Sequence, residues 1–276
     1  MLRDRARSAA ILIPPLAIAL WLGGIWIVLV VGILVAVAAI EAFRLLTAAG
    51  HSSMPALGVV LAVVIAIGDS IKPMLGDTGL LLAALGVVLV GTGALTRADP
   101  REGLATFATT TFGAVYVGLL GFVARLATTD VPVDRTTLLG SLGPERAWIL
   151  VLVLVVWAYD TAAYFTGRRL GRHSFMHHIS PSKTLEGVVG GFVAAAVVGA
   201  LLVAALGRPW LSGLVFGVAL AAAAQAGDLA ESMLKRAAGA KESGRLIPGH
   251  GGMLDRVDSF LFAAPVAYFY VVSILH

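Results

Sequence analysis

Asp228, Glu231, Ser232, Lys235, Arg236, Lys241, Glu242, Arg245, His250, Asp255, Arg256 and Asp258 fall within one short stretch of a chain in which only 13% of residues are charged. Apolar runs flank the stretch on both sides. Charge pressed against membrane-type spans is expensive and marks function by default. The mixture is chemically directive. Carboxylates hold hard cations, while Lys and Arg hold phosphate oxygens. The turn Gly249-His250-Gly251-Gly252 allows close backbone approach to a ligand. Asp228, Glu231, Ser232 and Lys235 are spaced three and four apart, so a helix puts them on one face. Asp255 and Asp258, three apart, open the next apolar run. Two helices with inward carboxylates can bridge a divalent cation. Mg²⁺ suits such a site, because it accepts a few carboxylates and leaves positions for substrate phosphates. Structural zinc is not expected: there is no Cys, and His250 lacks a partner at ligand spacing. His250 reads either as a ligand-facing residue or as a plain turn histidine.

A second polar group lies upstream. Asp160 follows a long uncharged run, which places it at membrane depth, and Tyr164 shares its helix face. Ser180-Pro181-Ser182-Lys183-Thr184 sets three hydroxyls and one ammonium before a helix start. That is an anion site, since helix N-terminal amides carry partial positive charge. It is also a plain helix cap, with Glu186 as capping partner; the two readings are compatible. The Gly-rich lead-in of a P-loop is absent. His173, His177 and His178 form no metal-ligand pattern and read as surface or phosphate-facing residues.

The elements that must position these groups follow from composition. The 276 residues are 59% hydrophobic, with a mean hydropathy of +0.93. A soluble domain of this size cannot hide that much apolar surface. The reading is an all-α, polytopic integral membrane protein of about nine transmembrane helices, near 8–23, 24–47, 55–74, 78–95, 103–126, 146–166, 187–206, 210–235 and 254–275. Apolar residues run continuously without alternating, which excludes barrel strands. Arg3, Arg5 and Arg7 precede the first run as a signal peptide's n-region would, but the apolar sequence continues to about residue 47, so retained helices are expected. With the N-terminus inside, fifteen of the 20 Lys and Arg fall on the cytoplasmic side, in accord with the positive-inside rule. Both polar segments, 167–186 and 236–253, then share that face. Most of the excess lies in those two segments, where ligands also explain it. The chain divides into N-terminal membrane helices, 1–145, and a catalytic membrane region, 146–276.

The run from Ser232 through Lys235-Arg236, Lys241-Glu242, Gly244, Ile247-Pro248, His250-Gly251-Gly252-Met253 and Asp255-Arg256-Val257-Asp258 resembles the signature of the phosphatidate cytidylyltransferases, or CDP-diacylglycerol synthases. Asp160, Tyr164 and Ser180 to Gly187 resemble that family's upstream pattern. Glu242 stands where the family usually has Asp. The resemblance implies that CTP and phosphatidate give CDP-diacylglycerol and pyrophosphate at the inner (plasma) membrane, with the site facing the cytoplasm. It implies that Asp228 and Asp255 ligate Mg²⁺, with Asp258 supporting it or a second cation. Lys183, Lys235, Arg236, Lys241 and Arg256 would clamp phosphates. Ser180, Ser182, Thr184 and Ser232 would add neutral hydrogen bonds, Asp160 and Tyr164 would line the substrate site, and His250 would orient a phosphate. The implied partners are CTP, phosphatidate, membrane lipids and a second copy in a homodimer, with no nucleic acid. Two rivals remain at this point: a CTP-dependent polyprenol or phytol kinase, and a secondary transporter with intramembrane carboxylates.

Overall fold

Prolines, two side-chain caps and several glycines mark helix boundaries in this chain. The computed structural model describes residues 14–71, 76, 78–244, 246 and 251–275. Residues 14–22 are helical, and Gly23 and Gly24, both at positive φ, end that segment. Helix α1 follows as Ile25–Ala48, then α2 as Pro55–Ile67 and α3 as Thr78–Ala94. Helix α4 is Pro100–Gly118, extended by a 3₁₀ turn and a last turn to Leu126. After a loop come α5, Pro144–Leu170; α6, Leu185–Ala204; α7, Trp210–Ala237; and α8, Leu254–Ile274. Proline at the first turn starts α2, α4 and α5, where its missing N–H is no loss. Asp99 caps α4 by accepting from the Arg101 amide at 2.8 Å.

The fold is all-α, and among the described residues six helices are long and apolar enough to cross a membrane. The expected spans 55–74 and 78–95 appear as shorter apolar helices of 13 and 17 residues. At 1.5 Å per residue, 13 residues reach only about 20 Å, short of a hydrocarbon core of about 30 Å. The break between them begins at Gly68, whose backbone packs against Gly79. The first expected span, 8–23, falls partly outside the described residues. By contrast α5 and α7 have 27 and 28 residues, more than the ~20 a crossing needs. Their surplus C-terminal turns carry the charged residues.

Two compact units are each discontinuous in sequence: Met1–Arg125 with Met233–Val257, and Leu126–Ser232 with Asp258–His276. In the first, α2 packs against α1, α3 and α4. The Phe43 ring of α1 lies against Gly58 of α2 and Gly113 of α4, with no room for a Cβ at either. In the second, α6 lies along α5. Gly187, Gly191, Ala195 and Gly199 form a buried stripe at four-residue spacing on α6. Such small-residue stripes let helix backbones meet where lipid removes the hydrophobic drive for association. Gly199 in turn meets Gly213 and Gly217 of α7. The Tyr270 hydroxyl of α8 donates to the Ser212 carbonyl of α7 at 2.9 Å.

Candidate active site

Each unit holds one lysine–aspartate pair. In the second unit, Lys183 Nζ stands 2.6 Å from Asp228 Oδ2, with the side chains 17% and 32% exposed. The contact is an ion pair by distance, without a directed hydrogen bond at the ammonium. Ser232, one turn beyond Asp228, donates from Oγ to Asp228 Oδ1 at 3.3 Å, as the four-residue spacing requires. Asp160 lies on α5, and the charges acting on it are those of Asp228 and Lys183. Gly227 brings α7 against α8: a Cβ there would lie 2.5 Å from the Asp258 carbonyl oxygen. The C-terminal half of α7 and the start of α8 therefore meet at Gly227 and Asp258. The Asp258 carboxylate accepts from the Ser259 amide at 2.7 Å.

Lys183 is placed by a tightly tied loop. Ser174 and Thr184 form an antiparallel bridge, with the Phe175 amide on the Lys183 carbonyl at 2.8 Å and the Leu185 amide on the His173 carbonyl at 2.9 Å. Met176 takes a positive φ of 50°, unusual for a side-chain-bearing residue, at the turn of this loop. Thr184 is the N-cap of α6: its Oγ1 accepts from the Gly187 amide at 3.2 Å. Glu186 is not the capping partner expected from the sequence. It sits at the second helical position, not the third, and turns back to the loop. There it accepts from the Arg172 amide at 3.1 Å and pairs with His173 Nδ1 at 2.6 Å. That explains His173, while His177 Nδ1 lies 3.3 Å from Ser174 Oγ. Ser180 is half-buried and Ser182 is exposed. Tyr164 is exposed, its hydroxyl accepting from Arg168 Nη1 at 3.0 Å.

In the first unit, Lys235 Nζ stands 2.7 Å from Asp255 Oδ1, with side chains only 13% and 11% exposed. The other carboxylate oxygen is saturated. Asp255 Oδ2 accepts from the Ser243 amide at 2.9 Å, Ser243 Oγ at 2.9 Å and the Gly252 amide at 2.8 Å. Lys235 and Arg236 end α7, and Asp255 opens α8; both placements favour the helix dipoles. Arg236 closes its own helix, donating to the Ala240 carbonyl at 3.3 Å. Lys241, Glu242 and Arg256 are exposed. His250 and Arg245 lie outside the described residues.

Two groups escaped the sequence reading. Glu41, on apolar α1, is buried and bonded to Ser243 and Leu254. Its signal was present: a lone carboxylate in a 24-residue apolar helix is functional by default. The Tyr159 hydroxyl donates to Gln225 Oε1, joining α5 to α7 one residue from Asp160 and one turn from Asp228. The Gln225 amide nitrogen has no partner among the described residues. A single amide in an Ala-rich run was the clue there.

Among the described residues no three His, Cys, Asp or Glu side chains form a group able to hold a metal. The donor chemistry fits a looser arrangement. Mg²⁺ takes one or two carboxylates and completes its shell with phosphates and water. Asp228, within electrostatic reach of Asp160 and with a lysine and a hydroxyl on its oxygens among the described residues, meets that description. At Asp255 only Oδ1 suits it, by exchange with Lys235.

Comparison with known proteins matches the chain to the Cytidylyltransferase family over residues 3–274. The phosphatidate cytidylyltransferase of Brucella suis biovar 1 (strain 1330) is 41% identical over 194 residues, 70% of this chain and 64% of that protein. The Bacillus subtilis (strain 168) protein of the same name is 46% identical over 124 residues, 44% of this chain and 46% of its own length. That of Synechocystis sp. (strain ATCC 27184 / PCC 6803 / Kazusa) is 33% identical over 272 residues, 92% and 91% of the two chains. The chain thus spans less than two thirds of the Brucella and Bacillus relatives it matches and nearly all of the Synechocystis one. A match over almost every residue, including both lysine–aspartate pairs, settles the membership: the chain belongs to the cytidylyltransferase family.

Proposed function

We propose that this protein transfers CMP from CTP to phosphatidate, forming CDP-diacylglycerol and pyrophosphate for phospholipid synthesis. The observation that carries the reading is the Lys183–Asp228 pair at 2.6 Å, held at the polar end of an otherwise apolar helix bundle. A buried ammonium and a partly exposed carboxylate with bonding capacity to spare suit a triphosphate and its cation. The names of the relatives point to the same chemistry.

In the proposed step a phosphate oxygen of the lipid attacks the α-phosphorus of CTP. A new P–O bond forms, the bond from the α-phosphorus to the α,β-bridging oxygen breaks, and pyrophosphate leaves with that electron pair. Such transfers depend on positioning and charge neutralisation more than on covalent help. Lys183, Lys235, Arg236, Lys241 and Arg256 neutralise phosphate oxygens of the two substrates. Ser180, Ser182, Thr184 and Ser232 orient them through neutral hydrogen bonds, with Asp160 and Tyr164 lining the substrate site and His250 directing a phosphate. No general base is required, because a phosphate monoester is already a nucleophile near neutral pH. Asp228 and Asp255 would hold Mg²⁺, with Asp258 supporting it or a second cation; bound there, the ion would supply charge neutralisation on the leaving pyrophosphate. Asp228 is the strongest of the three, since Asp255 must first release Lys235.

The remaining parts of the reading are nine crossings, a cytoplasmic site at the inner membrane, a homodimer, and a lipid- and dimer-contacting role for residues 1–145. They rest on charge asymmetry and on the family resemblance. The test is cytidine transfer by purified protein. CTP labelled in the cytosine ring should mark the lipid product, and γ-labelled CTP should not. Chelation should abolish the transfer, and added Mg²⁺ should restore it. Label from the γ-phosphate on lipid would identify a kinase instead. CTP-independent flux of a solute across liposomes, without lipid labelling, would identify a transporter.

A further inference from the structure

We propose that Glu41 is a positioning residue, which fixes the Ser243 and Asp255 ends of the segment joining α7 to α8 and so aims Asp255 and Lys235. The inference deepens the proposed function and rests on it for its kinetic consequence. Glu41 is the only charged residue of α1 before Arg44 and is 3% exposed. A carboxylate so placed needs compensating donors. It finds them at both ends of one segment. Glu41 Oε2 accepts from Ser243 Oγ at 3.0 Å and from the Leu254 amide at 2.8 Å. Leu254 is the first residue of α8, so its N–H is one of the donors a helix start leaves unsatisfied.

The same hydroxyl serves a second carboxylate. Ser243 Oγ lies 2.9 Å from Asp255 Oδ2 and accepts from the Asp255 amide at 3.3 Å. The connection therefore runs Glu41, Ser243, Asp255, Lys235. Two glycines make it possible. A Cβ on Gly244 would lie 2.5 Å from Glu41 Oε1, and one on Gly252 would collide with Glu41 Oε2 and Ser243 Oγ. The backbone at both ends of the segment is thus moulded around the Glu41 carboxylate. Without it, the Leu254 amide loses its acceptor and the Ser243 hydroxyl, whose one proton Glu41 and Asp255 share, keeps Asp255 alone of the two carboxylates, so both ends of the segment and the Asp255 carboxylate between them are held less firmly.

Amide hydrogen exchange and steady-state kinetics on the purified full-length protein test this together. In Glu41→Ala, exchange at residues 243, 252 and 254 should rise by about a hundredfold, with α2 and α4 unchanged. In the same variant kcat should fall by about tenfold or more, with KM for CTP moving less than about threefold. Glu41→Gln keeps a carbonyl oxygen able to accept both donors, and should restore exchange and kcat to within about threefold of wild type. If Glu41→Ala is not recovered folded, Ser243→Ala decides, with a rise of roughly tenfold expected at residues 243 and 252. Unchanged exchange in that variant overturns the proposal. So does faster exchange with an unaltered kcat. If wild-type protein transfers no cytidine, the proposed function fails, while the exchange data still decide whether Glu41 holds the segment.

Discussion

The two lysine–aspartate pairs are nearly equal in length, 2.6 Å and 2.7 Å, yet differ in everything around them. Asp255 is 11% exposed and takes four donors, three of them on one oxygen. Asp228 is 32% exposed and takes a lysine and one hydroxyl. The first is built into its surroundings; the second keeps capacity for something else. A short ion pair therefore says little about role until the remaining lone pairs are counted. Under the proposed function, Asp255 would combine structure with chemistry, and Asp228 would serve mainly chemistry.

Removing Asp255 should separate the pairs most widely. Asp255→Ala takes this acceptor from Lys235 and from the Ser243 and Gly252 amides, a loss of about 3–5 kcal/mol by analogy with broken buried pairs. Cytidine transfer should fall by at least about a thousandfold, with a clear drop in the thermal midpoint in detergent. An unchanged midpoint would put Asp255 in the same class as Asp228. Next in size is Asp228→Asn. Activity should fall by about a hundredfold to a thousandfold, while stability changes by less than about 1 kcal/mol, because the pair is partly exposed. A midpoint falling as far as in Asp255→Ala would erase the distinction.

The sequence made the helical membrane class and both polar segments legible, because continuous apolar runs and clustered charges are local signals. Spacing also anticipated the Asp228–Ser232 contact, since i,i+4 geometry follows from the helix alone. What escaped it depends on distance along the chain. Glu41 and Ser243 are 202 residues apart, and nothing local announces that they meet. The shortness of α2 has no local signal in the apolar run, since Gly68 after it keeps helical φ and ψ. Glu186 was misassigned because a Thr followed by a Glu imitates a capping box. The register is one residue short, and the loop offers the carboxylate better donors.

Lys183→Ala sharpens the comparison from the cationic side. Lys183 faces the partly exposed Asp228 carboxylate, so its removal should act on substrate. KM for CTP or phosphatidate should rise roughly tenfold, equivalent to about 1.4 kcal/mol, with a smaller change in the midpoint. Unchanged KM for both substrates would remove Lys183 from the phosphate clamp.

Thr184 gives the smallest effect and the cleanest separation of cap from ligand. Its oxygen already accepts the Gly187 amide, and it packs against Gly167 and Gly171 of the preceding helix end. Thr184→Ala should therefore destabilise by about 1 kcal/mol, the usual loss for an N-cap. Thr184→Ser keeps the accepting oxygen and should recover most of that stability. The hydroxyl proton is not spent in the cap, so it is available to a phosphate oxygen. If capping is the whole role, KM stays at the wild-type value in both variants and only the midpoint moves. If the hydroxyl also donates to substrate, Thr184→Ala raises KM, and Thr184→Ser reverses that rise together with the stability loss. The Lys183 loop would then be an anion site as well as a helix start.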